Sequence, residues 1–297
     1  MKILLTGGSG QLGQEILKQK PRGIEIFNPG RNKLDLSDSK SCIKTVVDLK
    51  PDWIINCAAY TQVDDAEKNI QLSRRINSDA PAAFTEAINK TSSKLLHIST
   101  DFVFDGNQNF PYRENQTRKP LSQYGASKAL GEELIKKNIE NIDNATILRT
   151  SWVISPRGKN FILTMLKLHS EKEFIKVVSD QIGCPTSTRD LAKVCWKIIK
   201  LKEEKKLPFI LHWSDAGVAS WFDIAVSVGE IAKELGINKK EAIVLPINTC
   251  EYPTPAQRPK YSLLNTKNTS DLLDIQAIHW RKNLRSILIE YKNSKKI

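Results

Sequence analysis

Lys2-Ile3-Leu4-Leu5-Thr6-Gly7-Gly8-Ser9-Gly10-Gln11-Leu12-Gly13 opens the chain, and its reading decides the fold class. Five residues of strand character run into glycines at 7, 10 and 13, and an amphipathic stretch follows over residues 11–20. A glycine turn between a strand and a helix permits a tight bend, close approach of backbone to phosphate, and tight helix–sheet packing. The N–H groups at the helix start then face an anion such as a dinucleotide pyrophosphate. The triplet gains its meaning from its place in a longer rhythm. Further strands are expected at 24–27, 53–56, 94–99 and 145–149, with helices near 38–49, 70–89 and 122–137. That alternation predicts an α/β fold, a Rossmann-like parallel sheet flanked by helices. Pro51 ends the second helix, and Pro120 stands ahead of the fourth.

After Arg149 the pattern loosens and proline becomes frequent (156, 185, 208, 246, 253, 255 and 259). Strands at 209–213 and 242–247 alternate with helices at 190–201 and 221–235. The expected division is a dinucleotide-binding domain over residues 1–150, also receiving segments near 185–215. Residues 151–297 then form, for the most part, a smaller substrate-binding lobe interleaved with it.

Bulk properties exclude several classes. Of 297 residues, 40% are hydrophobic and 26% charged, which describes a soluble globular chain large enough for a substantial core. The apolar strand at the start is too short for a signal-peptide core, and no run approaches the roughly 20 apolar residues of a membrane span. A cytoplasmic protein with no membrane partner is expected. Five widely spaced cysteines contain no Cys-x-x-Cys pair, so buried free thiols are expected rather than disulfides or zinc. His97, His169, His212 and His279 match no metal-ligand spacing and read as structural or surface residues; no metal is expected. The net charge of +12 is spread along the chain, and its densest groups, at 202–206 and 292–296, read as a solvated helix end and a frayed terminus. Such a field serves anionic small molecules as well as nucleic acid, and no nucleic-acid partner is expected.

Residues carrying chemistry lie in mid-chain. Ser99-Thr100-Asp101 ends a predicted strand, and Tyr124-Gly125-Ala126-Ser127-Lys128 puts a phenol and an ammonium four apart on one helix face. With 45 basic residues and six tyrosines, a Tyr-x-x-x-basic pair arises by chance roughly once in this chain. Its position downstream of a nucleotide loop and a Ser-Thr strand end is what makes it informative. An ammonium beside a tyrosine stabilises the phenolate and lowers a pKa otherwise near 10. Tyr124 is then the expected proton donor, and Lys128 its partner and a holder of the coenzyme ribose. Thr100 supplies a hydrogen bond to the oxygen on which charge develops.

The spacing G-x-x-G-x-x-G resembles the short-chain dehydrogenase/reductase superfamily, which implies NAD(P), contributed to by Gly7, Gly10, Gln11, Leu12 and Gly13. The second strand ends Phe27-Asn28-Pro29-Gly30-Arg31, with no carboxylate before Asp35. Arg31 favours NADPH, with NADH also possible. Asp35-Leu36 matches the superfamily's Asp-aliphatic pair against the adenine, and Ala58, Ala59 and Tyr60 follow the third strand, where small residues admit the coenzyme. Blocks at 56–64, 99–106, 120–125, 148–153, 180–186 and 252–259 resemble the dTDP-4-dehydrorhamnose reductase family over essentially the whole chain. The resemblance implies reduction of a dTDP-linked 4-keto sugar to dTDP-L-rhamnose for cell-surface polysaccharide. It also implies that Thr100 and Asp101 contact the sugar, that Trp152 packs on the substrate, and that Arg258 binds nucleotide or diphosphate. Phe102, a further substrate contact on this resemblance, stands where the family often has tyrosine, losing a hydroxyl. Some members form a magnesium-bridged dimer through glutamates; Glu15 is present, but Arg189 replaces an expected glutamate, so a monomer or a metal-free homodimer is expected. The alternatives are a related nucleotide-sugar epimerase or reductase, and a non-catalytic regulatory subunit resembling the methionine adenosyltransferase beta subunit.

Overall fold

The computed structural model describes residues 1–295. Six parallel strands form the central sheet, in the spatial order Ile210–His212, Ala145–Thr150, Lys94–Thr100, Trp53–Asn56, Lys2–Thr6 and Glu25–Phe27. The four central strands are buried on both faces almost throughout, as parallel strands covered by helices must be. Ile3, Leu5, Trp53, Ile55 and Leu96 pack on one side against the helices Gln11–Lys18 and Thr188–Glu204. Leu4, Ile54, Leu95 and Ile147 pack on the other against Ser39–Leu49 and Ala80–Thr91. Chain order reverses between the adjacent strands Lys2–Thr6 and Trp53–Asn56, so a crevice opens at their carboxyl ends, where ligands bind in this architecture.

Residues after 150 contribute to both parts of the molecule. Ile210–His212 extends the central sheet by pairing with Ala145–Thr150, and Thr188–Glu204 packs on the first helix. A separate core gathers Ile162, Met165, Ile224, Val228, Leu284 and Leu288. It is built from the helices Phe161–Glu171, Trp221–Glu234 and Trp280–Lys295 and from the two-stranded parallel sheet of Phe174–Val178 with Ile243–Ile247.

Several local expectations change. The single helix expected over 70–89 is broken into Ile70–Arg74, a π-helical turn at Arg75–Asp79, and Ala80–Thr91. The turn aims Asn77 inward: its Oδ1 accepts from the Tyr60 N–H at 2.8 Å, and its Nδ2 donates to the Tyr60 carbonyl at 3.1 Å and to Ser127 Oγ at 3.0 Å. Tertiary satisfaction of one buried amide thus overrides the helical period. Lys202 is not solvated; its Nζ donates to the Ala145 carbonyl at 2.7 Å and to Thr146 Oγ1 at 2.5 Å. Lys292 and Lys295 continue a helix rather than a frayed end, and Lys296 lies outside the described residues. All five cysteines are unpaired: Cys42, Cys184 and Cys195 are buried, Cys57 is half-buried and Cys250 is exposed. No helix among the described residues is long and apolar enough to cross a membrane.

Candidate active site

The glycine turn is fixed by its own geometry. Gly7 adopts φ +72°, a conformation costly for any residue with a Cβ, and a Cβ there would stand 2.7 Å from the Ala58 nitrogen. A Cβ on Gly13 would overlap the Gly7 carbonyl and the Gly8 Cα, so the first helix lies directly on the turn.

Thr100 ends its strand and caps the turn Asp101–Val103; its hydroxyl accepts from the Phe102 N–H at 3.2 Å and donates to Asp101 Oδ1 at 3.1 Å. The helix Gln123–Asn138 starts at Ser122, whose Oγ accepts from the Gly125 N–H, and carries Tyr124 and Lys128 one turn apart. The Phe102 ring meets Tyr124 edge-on, with centroids 5.9 Å apart.

A cleft of about 810 Å³ brings together Gly7, Gly10, Gln11, Leu12, Ala58 and Ala59 with Thr100, Asp101, Phe102, Tyr124, Lys128, Trp152 and Arg258. An adjoining cleft of about 180 Å³ shares Gly7, Ser9, Ala58 and Ala59 with it and adds Arg31, Asp35 and Leu36. Two expected residues line neither. Tyr60 is held by its backbone to Asn77, and Gly13 is used up in helix-to-turn packing. Arg258 lines the cleft, but it is also a tether. It grips Asp64 with two N–H···O contacts (3.1 and 2.7 Å) and donates to Thr254 Oγ1 and the Ala256 carbonyl. Ion pairing with Arg258 holds Asp64 below the usual carboxylate range.

Burial dominates the electrostatics. It pushes the Tyr124 phenol up to about 12, with the Asp101 charge adding to it and the Thr100 hydrogen bond opposing it. This reverses the expectation that Lys128 depresses the phenol. The Lys128 ammonium is directed elsewhere, donating to the Ile98 carbonyl at 2.7 Å and meeting His97 Nε2 at 3.1 Å. Burial brings Lys128 down to about 8, against the opposing pull of Glu132 and Cys57. Asp101 is raised to about 7 by burial, against the opposing pull of the Ser262 and Thr100 hydroxyls, and its Oδ2 is buried with no partner within hydrogen-bond distance.

Sequence reasoning missed three features of the cleft. Trp152 holds a strained φ of +43° and stacks on Trp221 at 3.8 Å, with Phe161 4.7 Å from Trp221, so an aromatic wall faces the cavity. Asn160 Nδ2 donates to Gln11 Oε1 at 2.8 Å, joining the glycine turn to the loop before Phe161–Glu171. His97, read as structural, lies against Lys128. Its signal was a polar residue inside the apolar run Leu95-Leu96-His97-Ile98, two residues before Ser99.

The residues present fit a nicotinamide dinucleotide: a helix-starting glycine turn, two continuous clefts, and Arg31 beside the second with no carboxylate ahead of Asp35. They do not fit a bridging magnesium. Glu290, near Glu15 and Arg189, already accepts from Lys18 (2.9 Å), Arg157 (3.3 Å) and Arg189 (3.2 Å). Among the described residues no group of three or more His, Cys, Asp or Glu could hold a metal ion.

A parallel sheet with this switch-point turn, and a Thr100–Tyr124–Lys128 group sharing one cleft with it, define an extended short-chain dehydrogenase/reductase fold. The family model described as RmlD substrate binding domain matches residues 1–293. The chain is 39% identical over 292 residues to the spore coat polysaccharide biosynthesis protein SpsK of Bacillus subtilis, covering 97% of each. It is 35% identical to dTDP-4-dehydrorhamnose reductase of Salmonella typhimurium, covering 98% of each. The solved structure of dTDP-4-dehydrorhamnose reductase from Bacillus anthracis in complex with NADP superposes with a TM-score of 0.88 at 35% identity, covering 97% of this chain and 99% of that one. The chain belongs to the dTDP-4-dehydrorhamnose reductase family.

Proposed function

We propose that this chain reduces the 4-keto group of dTDP-4-dehydro-6-deoxy-L-mannose to give dTDP-L-rhamnose, with NADPH as reductant, in the synthesis of cell-surface polysaccharide. The observation that carries this reading is the single cleft joining the glycine turn to Thr100, Tyr124 and Lys128 and on to Trp152 and Arg258, in a chain whose whole length matches the family. Bound NADPH supplies the hydride. Gly7, Gly10, Gln11 and Leu12 hold its diphosphate, Arg31 its additional phosphate, and Asp35-Leu36 its adenine.

The remaining chemistry belongs to the side chains. With a pKa near 12, the Tyr124 phenol is fully protonated at neutral pH, the form a general acid needs, and it gives its proton to the carbonyl oxygen. Thr100 gives up its hydrogen bond to Asp101 Oδ1 and donates to the same oxygen. Lys128, with a pKa near 8, is mostly an ammonium at pH 7; its Nζ is turned to the Ile98 carbonyl and His97, which leaves it to hold the coenzyme ribose rather than to depress the phenol. The unpartnered Asp101 Oδ2 accepts from a sugar hydroxyl, and Trp152, backed by Trp221, packs on the sugar face. Arg258, oriented by Asp64, faces the diphosphate. In this reading residues 1–150, with segments near 185–215, hold the coenzyme, and most of 151–297 holds the sugar nucleotide. The enzyme works in the cytoplasm as a monomer or a metal-free homodimer.

The test is loss of reduced-nicotinamide absorbance when purified protein meets dTDP-linked and UDP-linked 4-keto sugars in turn. Turnover with the dTDP sugar, faster with NADPH than NADH, is the expected result. No turnover with any nucleotide-linked 4-keto sugar contradicts the reading.

A further inference from the structure

Behind the catalytic pair, four buried side chains stand in a line under the coenzyme cleft. Thr6 Oγ1 lies 2.7 Å from Asn56 Oδ1, Asn56 Nδ2 lies 3.0 Å from His97 Nδ1, and His97 Nε2 lies 3.1 Å from Lys128 Nζ. Sheet register creates the line: Thr6 pairs with Asn56, and Asn56 with His97, on three adjacent strands. Asn56 and His97 are fully buried, and Thr6 and Lys128 nearly so, so the protons between Asn56, His97 and Lys128 are set by these neighbours, with the Ile98 carbonyl taking one further Lys128 proton.

Counting protons over Asn56, His97 and Lys128 gives two arrangements. A neutral imidazole has one N–H and one bare nitrogen. As the side chains stand, Thr6 donates to Asn56 Oδ1 and Asn56 Nδ2 donates to His97 Nδ1; the ring proton then sits on Nε2 and requires Lys128 to accept, as an amine. If Lys128 is an ammonium, Nε2 must be bare and the ring proton moves to Nδ1. The Asn56 amide then turns its oxygen to the ring and its NH2 to the Thr6 hydroxyl, an exchange that leaves the side-chain shape unchanged.

We propose that His97 is a positioning residue for Lys128, a permanently neutral imidazole whose tautomer follows the protonation state of the lysine and holds its nitrogen in one place in both states. Loss of the Lys128 proton releases one proton to solvent, and the imidazole keeps a single ring proton throughout. Burial and the facing ammonium both drive the His97 pKa well below its ordinary value, which keeps the ring neutral. The other ionisable groups acting on Lys128 are Glu132 and Cys57. Glu132 is committed to Arg149 through contacts of 2.9 and 2.6 Å, and the Cys57 thiol is driven well above its ordinary pKa by burial, with Cys195 adding to this. His97 is therefore the neutral partner left to adapt. The inference rests on the proposed reduction only in that Lys128 belongs to its site.

The test follows the ring nitrogens of His97 by 15N NMR in the NADP-saturated protein, assigned through Leu96 and Ile98, from pH 6 to 10. The expected result is a neutral ring with its proton on Nδ1 at the acid end and on Nε2 at the alkaline end. The change should have its midpoint where Lys128 itself titrates, about 8 in the coenzyme-free chain. One tautomer across the whole range, or an imidazolium within it, overturns the proposal. Neither outcome depends on which sugar is reduced. A second readout is the alkaline limb of kcat in two variants. His97→Leu removes the partner that favours the ammonium, and the limb moves down by about one pH unit, whereas His97→Gln, whose amide can turn to accept or donate, keeps it. Equal activity losses in both variants with the limb unmoved reduce His97 to packing and overturn the proposal.

Discussion

At the residue scale, burial decides which groups carry protons. The Tyr124 phenol is held protonated, Lys128 is brought within reach of neutral pH, and Asp101 is raised to about 7, all chiefly by desolvation on burial. The residue types were legible in the sequence, because a phenol, an ammonium and a hydroxyl downstream of a glycine turn have one common use. Their electrostatics were not, since the direction in which Lys128 points depends on His97 and Ile98, brought to it by the fold from another strand. Arg31 shows the same division. Its charge is plain in the sequence, and only the structure sets it beside Asp35 and Leu36 at the rim of the smaller cleft. Arg31→Ala is expected to weaken NADPH binding about tenfold or more, the worth of one charge-assisted contact, and to leave NADH binding unchanged. Fluorescence titration with the two coenzymes checks this, and equal effects on both remove Arg31 from the phosphate.

At the element scale, the first half of the chain is legible because its strands are short apolar runs set between turn residues. Lys2–Thr6 and Trp53–Asn56 lie where the pattern puts them, and Lys94–Thr100 and Ala145–Thr150 each run one residue further. The π turn at Arg75–Asp79 was not legible, because Asn77 is drawn inward by partners at Tyr60 and Ser127, distant in sequence. The helix Trp280–Lys295 does show apolar spacing at 280, 284, 287, 288 and 291, but the lysines around it mask the period. The glycine turn is where element packing meets the cleft. Gly13→Ala forces a methyl into the Gly7 carbonyl and the Gly8 Cα, an overpacking worth about 1–3 kcal/mol. Both the melting temperature and NADPH affinity are expected to fall, and a variant that melts and binds like wild type contradicts the packing described for the turn.

At the scale of the whole molecule, residues far apart in sequence are tied together through Asp215. Its Oδ2 accepts from the Ser187 N–H at 3.1 Å and from Asn283 Nδ2 at 2.8 Å, and Asn283 also reaches Asp190. Burial raises this carboxyl from 3.8 to about 7. The folded chain therefore holds a proton that the unfolded chain releases above about pH 4, so the stabilisation is full below that value and is lost as pH rises through 7. Asp215→Asn has no such titration. Relative to wild type its melting temperature should rise by about 2–6 °C between pH 5 and pH 8, and a constant difference means the carboxyl is not raised. The largest assembly is the cleft itself, built from both halves of the chain around one phenol. Its central claim is tested most directly by single-turnover reduction of the dTDP-linked 4-keto sugar by Tyr124→Phe, with NADPH affinity measured on the same protein. Loss of the general acid predicts NADPH binding within about twofold of wild type and a rate lower by about 10²–10⁴-fold. Turnover at the wild-type rate would show that the proton comes from elsewhere.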